Sequence, residues 1–144
     1  MSTWAAPEQI QKGRRSTTAQ HAPRVLIVMR NATERRGLAE DLRRAGYSVV
    51  AKDNCYDAAA YCRKVASLDA LVIETELPDM WGLELARSAS QYHPHIFVVC
   101  LCSAQPKQHV RHELLERGWQ WTCTDASLHG AVVQKLQAAQ LASD

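Results

Sequence analysis

The chain has 144 residues, 47% of them apolar and 22% charged, which is the length of one domain and enough apolar material to fill its core. No run approaches the ~18 apolar residues of a membrane span, and the opening Met1-Ser2-Thr3-Trp4-Ala5-Ala6-Pro7 lacks the basic patch and apolar stretch of a signal peptide. The formal net charge of +2 is modest but uneven. The first 24 residues are basic and can touch nucleic acid or an acidic partner, but four charges are a weak signal, so nucleic acid is not an expected partner, nor is a membrane.

Residues 1–22 carry Pro, Gly, Ser, Thr and Gln with no apolar period, and read as a disordered arm. The arm and Arg24 hold Lys12, Arg14, Arg15 and Arg24 against Glu8, which leaves the remainder close to neutral. From residue 23 to residue 144 the pattern is that of one folded unit.

Val25-Leu26-Ile27-Val28 is an all-apolar run, as a parallel strand covered on both faces requires. Asn31 and Glu34 have the spacing of a helix cap and its reciprocal partner. Leu38, Ala39, Leu42 and Ala45 share one face of the helix that follows, and Gly46 ends it. Tyr47-Ser48-Val49-Val50 is a second strand. Tyr56 to Val65 is helical, with Ala59, Cys62 and Ala66 on the inner side. Leu71-Val72-Ile73 is a third, buried strand, and Leu83 to Ser90 a helix. Ile96 to Leu101 is a fourth strand, and Val110 to Arg117 a helix stopped by Gly118. Trp121-Thr122-Cys123 is a weaker fifth strand. Ser127 is placed to cap a last helix through Leu141, with Leu128, Val132, Leu136 and Ala139 on one stripe. Strands alternating with helices of this length build a parallel sheet. The expected fold is α/β, a flavodoxin-like (βα)5 doubly wound sheet with strand order 2-1-3-4-5, and its functional crevice lies at the carboxyl ends of the strands.

The cysteines are odd in number, five, with no framework spacing, and read as reduced thiols of a cytoplasmic protein. Cys55 and Cys62 fall in a helical pattern. Cys100 and Cys102 alternate with core residues on one strand and read as small buried apolar groups. His109 and His112 are three apart on a helix, and His93 and His95 flank Pro94. A metal site needs more convergent ligands than these, so no metal is expected there and the histidines read as solvent-facing. No glycine-rich phosphate loop supports a nucleotide site, and no nucleophile–base pair supports an enzyme.

The segment Asp69 to Gly82, with Asp69, four apolar residues, Glu74, Pro78 and Gly82, resembles the phosphoacceptor strand and loop of response-regulator receiver (CheY-like) domains. The resemblance runs from residue 24 to about residue 141. It is carried further by the first strand, Gly46-Tyr47, the His93-Pro94-His95-Ile96 stretch, Ser103-Ala104 and Gly118. In that family two acidic residues after the first strand and the phosphoacceptor Asp hold Mg²⁺, which neutralises the incoming phosphoryl oxygens.

At those positions this chain departs from the pattern. Met29 and Arg30 stand where the acidic pair belongs, and Glu74 where the phosphoacceptor belongs. A thioether and a guanidinium do not replace two carboxylates. Glu74 reaches one methylene too far, and a displacement near 1 Å costs about a hundredfold in rate. Ser103 matches the family's switch hydroxyl. Asp125 takes the place of the conserved-pattern Lys, and Ala126 that of the Pro after it, which puts the cis peptide there in doubt. Thr122 takes the place of the switch aromatic and is too small to act as a rotating plug.

These substitutions imply an atypical pseudo-receiver with neither phosphorylation nor Mg²⁺, and no other cofactor. Arg30 is expected either to bridge Asp125, Glu74 or both as a fixed cation, or to be solvated separately. Glu74 either mimics a phosphorylated state or fills space, and a locked conformation is expected over a switching one. Trp81, Trp119 and Trp121 are candidate partner contacts or covers of the sheet edge. The chain stops after the fifth helix, so its output is expected through a protein partner, such as a histidine kinase or regulator. Self-association is the other route, through the face of the fourth helix, fifth strand and fifth helix, which carries Lys107, Gln108 and Arg111. Three alternatives stand beside this reading: a conventional phosphorelay receiver with an unusual site, an N-terminal fragment of a transcriptional regulator, and a flavodoxin-fold small-molecule binder.

Overall fold

The computed structural model describes residues 22–77, 81–124, 128–139 and 141. The basic arm through His21, Pro78 of the loop motif, Asp125, Ala126 and the cap Ser127 lie outside the described residues.

Among the described residues, strands and helices alternate in ten elements: β1 Arg24–Val28, α1 Ala32–Arg44, β2 Ser48–Lys52, α2 Cys55–Lys64, β3 Ala70–Glu74, α3 Gly82–Tyr92, β4 Phe97–Cys102, α4 Gln108–Arg117, β5 Gln120–Cys123 and α5 Leu128–Ala139. The strands pair in parallel in the order β2-β1-β3-β4-β5, the expected doubly wound sheet.

The alternation along each strand divides the core into two layers. Leu26, Val28, Leu71, Ile73, Val98 and Cys100 face one side and pack with α2, α3 and α4. Val25, Ile27, Ala70, Val72, Val99 and Leu101 face the other, against Leu38 and Leu42 of α1 and Leu128, Val132 and Leu136 of α5. Both faces of the sheet are covered by apolar side chains, which is why β1, β3 and β4 read as continuous apolar runs.

Asp69 pins the lower edge of the sheet. Its Oδ2 accepts the Arg24 N–H at 2.7 Å, its own N–H donates to the Arg24 carbonyl at 3.0 Å, and its carbonyl accepts from Phe97 at 3.0 Å. The acid at the head of the resemblance motif is thus a brace for the starts of β1, β3 and β4.

Side-chain caps start two of the helices. The Asn31 side chain accepts the Glu34 N–H and starts α1. Asn54 does the same for Asp57 and α2, a cap the sequence reading passed over. Ala66 is exposed instead of inward-facing, because α2 stops at Lys64 and Val65 is already extended. Ala58, buried in its turn with Cys55 and Cys62, takes the inner position.

Candidate functional site

The crevice forms where β1 and β3 run side by side. Their register pairs Val28 with Ile73, which sets Met29 and Arg30 beside Glu74 at the carboxyl ends. Met29 extends β1 by one hydrogen bond, its N–H donating to the Lys52 carbonyl at 3.1 Å. Its side chain is fully buried in the layer between the sheet and α1 and α5. This thioether is a core residue and does not enter the crevice.

Arg30 turns the chain out of the sheet. Its backbone N–H donates to Glu74 Oε1 at 2.6 Å. Its guanidinium Nε lies 4.0 Å from the same oxygen, and the Arg30 side chain is 58% exposed against 15% for Glu74. The main tie between the two residues is therefore from carboxylate to backbone amide, a charge-assisted bond. The ion pair beside it is loose and solvent-screened. Asp125, the other acid considered for Arg30, lies outside the described residues.

Arg35 completes the fastening. Its Nη1 donates to the Met29 carbonyl at 2.8 Å and to the Arg30 carbonyl at 3.2 Å. The β1–α1 turn is thus held from three sides, by Asn31, Arg35 and Glu74. Sequence reading missed Arg35, whose only signal is a basic residue one turn beyond the Asn31 cap.

On the other flank, α3 presses directly on the strand. Gly82 donates its N–H to the Thr75 carbonyl at 2.8 Å, and a Cβ on Gly82 would meet the Glu74 carbonyl oxygen at 2.0 Å. Glycine is needed here for close backbone approach. Thr75 is buried, with its N–H donating to the Leu101 carbonyl at 3.0 Å. Glu76 and Trp81 form an isolated antiparallel bridge across the loop.

Ser103 is exposed just after β4. With Thr75, Glu76, Trp81, Cys102 and Lys107 it lines a cleft of about 120 Å³. That is well below the roughly 300–1,000 Å³ of a small-molecule site. Thr122 is half-buried on β5, in register with Leu101 and so on the α1 and α5 side of the sheet.

The tryptophans separate. Trp81 is 48% exposed at the start of α3. Trp119 is not a surface anchor: it is 8% exposed within the core. The reason is local. Gly118 takes the left-handed conformation at φ 71°, and the Trp119 N–H returns to the Leu114 carbonyl at 2.9 Å, which tucks the indole under α4. Arg117 covers the ring, its guanidinium carbon 5.1 Å from the centroid. Trp121 packs half-buried against the same layer. Neither ring shares a face with Thr122.

The histidines also separate. His109 and His112 are exposed, and no group of three or more His, Cys, Asp or Glu able to hold a metal occurs among the described residues. His93 is buried, against the expectation of a solvent-facing imidazole. Its Nε2 lies 2.9 Å from the Cys62 carbonyl. A carbonyl only accepts, so Nε2 carries the proton. The ring thereby satisfies a free carbonyl in the last turn of α2.

The residues present do not fit the Mg²⁺ that such a fold implies. Of the positions corresponding to the acidic pair and the phosphoacceptor, one is a buried thioether, one a cation, and the third a carboxylate already engaged by an amide. Magnesium requires near-octahedral oxygen ligation.

The fold, the strand-end crevice and the Asp69-to-Gly82 loop together define a receiver-type signalling module. The family model for the response regulator receiver domain matches residues 25–122, and the chain belongs to that family. Solved structures agree on the fold. The chemotaxis response regulator CheY4 of Vibrio cholerae aligns with TM-score 0.70 at 19% identity, over 81% of this chain and 98% of its own. A CheY-like receiver domain protein from Methanospirillum hungatei JF-1 aligns at TM-score 0.74 and 18% identity, over 82% and 93%. A two-component response regulator of the LuxR family from Aurantimonas gives TM-score 0.68 and 23% identity, over 82% and 84%. No curated protein matches the chain.

Proposed function

We propose that this chain is a receiver module that has given up metal-dependent phosphoryl chemistry and signals by protein contact. The observation that carries the reading is the bond from the Arg30 amide to the Glu74 carboxylate. In this reading the carboxylate serves as an internal fastener for the β1–α1 turn. It neither accepts a phosphoryl group nor reaches outward as a free negative charge. The sulfur of Met29, turned into the core, and the cation of Arg30 leave Mg²⁺ without its oxygen ligands.

The output surface proposed is the face of α4, β5 and α5. Lys107, Gln108 and Arg111 are exposed on it, and Leu115 is 81% exposed beside them. The cations Lys107 and Arg111 beside the exposed apolar Leu115 suit an acidic protein partner such as a regulator or kinase, or a second copy of this chain.

An amide NMR titration tests the proposal, first with Mg²⁺ and then with Mg²⁺ plus beryllofluoride. Arg30, Glu74, Ser103 and Thr122 are expected to stay unshifted while the spectrum remains that of a folded protein. Saturable, site-local shifts would restore the conventional phosphorelay reading.

A further inference from the structure

The strand ends bring two thiols together. β4 ends at Cys102 and β5 at Cys123, and the two are direct register partners in the parallel ladder. In such a ladder partner side chains point to the same face, and the strands lie about 4.8 Å apart. That spacing falls inside the roughly 4.4–6.8 Å between the Cα atoms of disulfide-bonded cysteines. Both residues are the last of their strands, so little of the ladder beyond them resists the adjustment a bridge requires. Beyond them one bond remains, from the Thr124 N–H to the Cys102 carbonyl at 3.0 Å.

Their environments differ. Cys102 is 4% exposed and lines the small cleft beside Thr75 and Ser103. Burial raises its thiol pKa, with the Thr75 hydroxyl acting against that. Cys123 is half-buried and the more accessible of the pair. Cys100 pairs in register with Trp121 and is fully buried, its pKa pushed up to about 12 by burial. Cys55 and Cys62 lie seven residues apart on α2, about 10 Å along the axis and beyond bridging distance.

We infer that Cys102 and Cys123 form a reversible dithiol–disulfide site, oxidised by a hydroperoxide. The accessible Cys123 thiolate attacks the peroxide, breaking the O–O bond to give a sulfenic acid and hydroxide. Cys102 then attacks the Cys123 sulfur, and the S–O bond breaks as the S–S bond forms, with water leaving. The two thiols lose two electrons and their protons, and one hydrogen peroxide becomes two waters. The bridge ties together the ends of β4 and β5, next in the chain to Ser103 and Thr122. It is an input to the same crevice that needs neither metal nor phosphoryl group, and it does not depend on the role given to Glu74.

The test uses the full chain, reduced and desalted, then exposed to hydrogen peroxide and read by intact mass spectrometry. The expected result is a loss of about 2 Da for one disulfide, reversed by dithiothreitol. The loss is expected to persist in Cys100→Ala and to vanish in Cys123→Ser and in Cys102→Ala. Circular dichroism of each variant establishes that it is folded. An oxygen adduct with no 2 Da loss in the unsubstituted chain overturns the inference, as does a 2 Da loss that survives in Cys123→Ser or disappears in Cys100→Ala. Non-reducing peptide mapping that joins any other cysteines overturns it as well.

Discussion

Glu74 Oε1 accepts the backbone N–H of Arg30 at 2.6 Å, across a separation of 44 residues. The bond links the end of β3 to the turn after β1, where receiver domains of the ordinary pattern assemble a metal. It satisfies an amide that the sheet no longer pairs, and it engages one oxygen of the carboxylate at the phosphoacceptor position.

Removing that acceptor has a modest, local cost. Glu74→Ala is expected to lower stability by about 1–2 kcal/mol, since the partly exposed amide can turn to water. Glu74→Gln retains an oxygen acceptor and is expected to cost less. Urea melts rank the two variants, and the Arg30 amide resonance should move in the first more than in the second. Glu74→Asp restores the residue type of the family's phosphoacceptor but leaves Met29 and Arg30 in place. It is expected to remain without Mg²⁺-induced shifts in the NMR titration.

Gly82 makes the opposite kind of prediction, a steric one. A Cβ there lies 2.0 Å from a backbone oxygen, so α3 must move off the strand to admit it. Gly82→Ala is expected to cost about 2–3 kcal/mol, the upper range for overpacking. The urea midpoint should fall with little change in the slope. A variant as stable as the parent would mean that α3 does not bear on the Glu74 carbonyl.

The sheet was legible because β1, β3 and β4 are short apolar runs, and because Asn31 marks the start of α1 and Gly118 the end of α4. The positions of the crevice were legible through the family resemblance, which placed Met29, Arg30, Glu74 and Ser103 at or just beyond the strand ends. What they do there was not legible. A side chain bonding a backbone amide 44 residues away leaves no trace in periodicity. Nor does the His93 contact with the Cys62 carbonyl, which is 31 residues distant. Of the two readings of Trp119, partner contact or cover of the sheet edge, its burial removes the first, and periodicity could not show this because the left-handed turn at Gly118 is what folds the ring back beneath α4.

His93 is expected to be structural. With the imidazole gone, the buried Cys62 carbonyl has no partner, and leaving such a group unpaired costs about 1–3 kcal/mol. His93→Ala should lose that amount together with some packing. His93→Phe fills the space without donating a hydrogen bond, and is expected to recover the packing but not the bond. Equal stability of His93→Phe and the parent would show that the hydrogen bond contributes nothing.

Glu113 joins α3 to α4 and gives the fold an acid-sensitive element. Its carboxylate accepts from Arg87 Nε and Nη2 at 2.6 Å each and from Arg117 Nε at 2.9 Å. The hydrogen bonds from Arg87 hold its pKa below the ordinary 4.5, with the charges of Arg87 and Arg117 adding to the effect. A carboxyl whose folded-state pKa is depressed stabilises the fold fully above its unfolded value and loses that contribution as pH falls through the folded one. The parent protein is therefore expected to lose stability between about pH 5 and pH 3 more steeply than Glu113→Gln, whose side chain does not titrate. The difference should be about 1 kcal/mol, because the Arg87 side chain is 42% exposed and solvent screens the pair. Urea melts at intervals of pH check the sign: if the two curves stay parallel through that window, Glu113 is not the group that links α3 to α4 energetically.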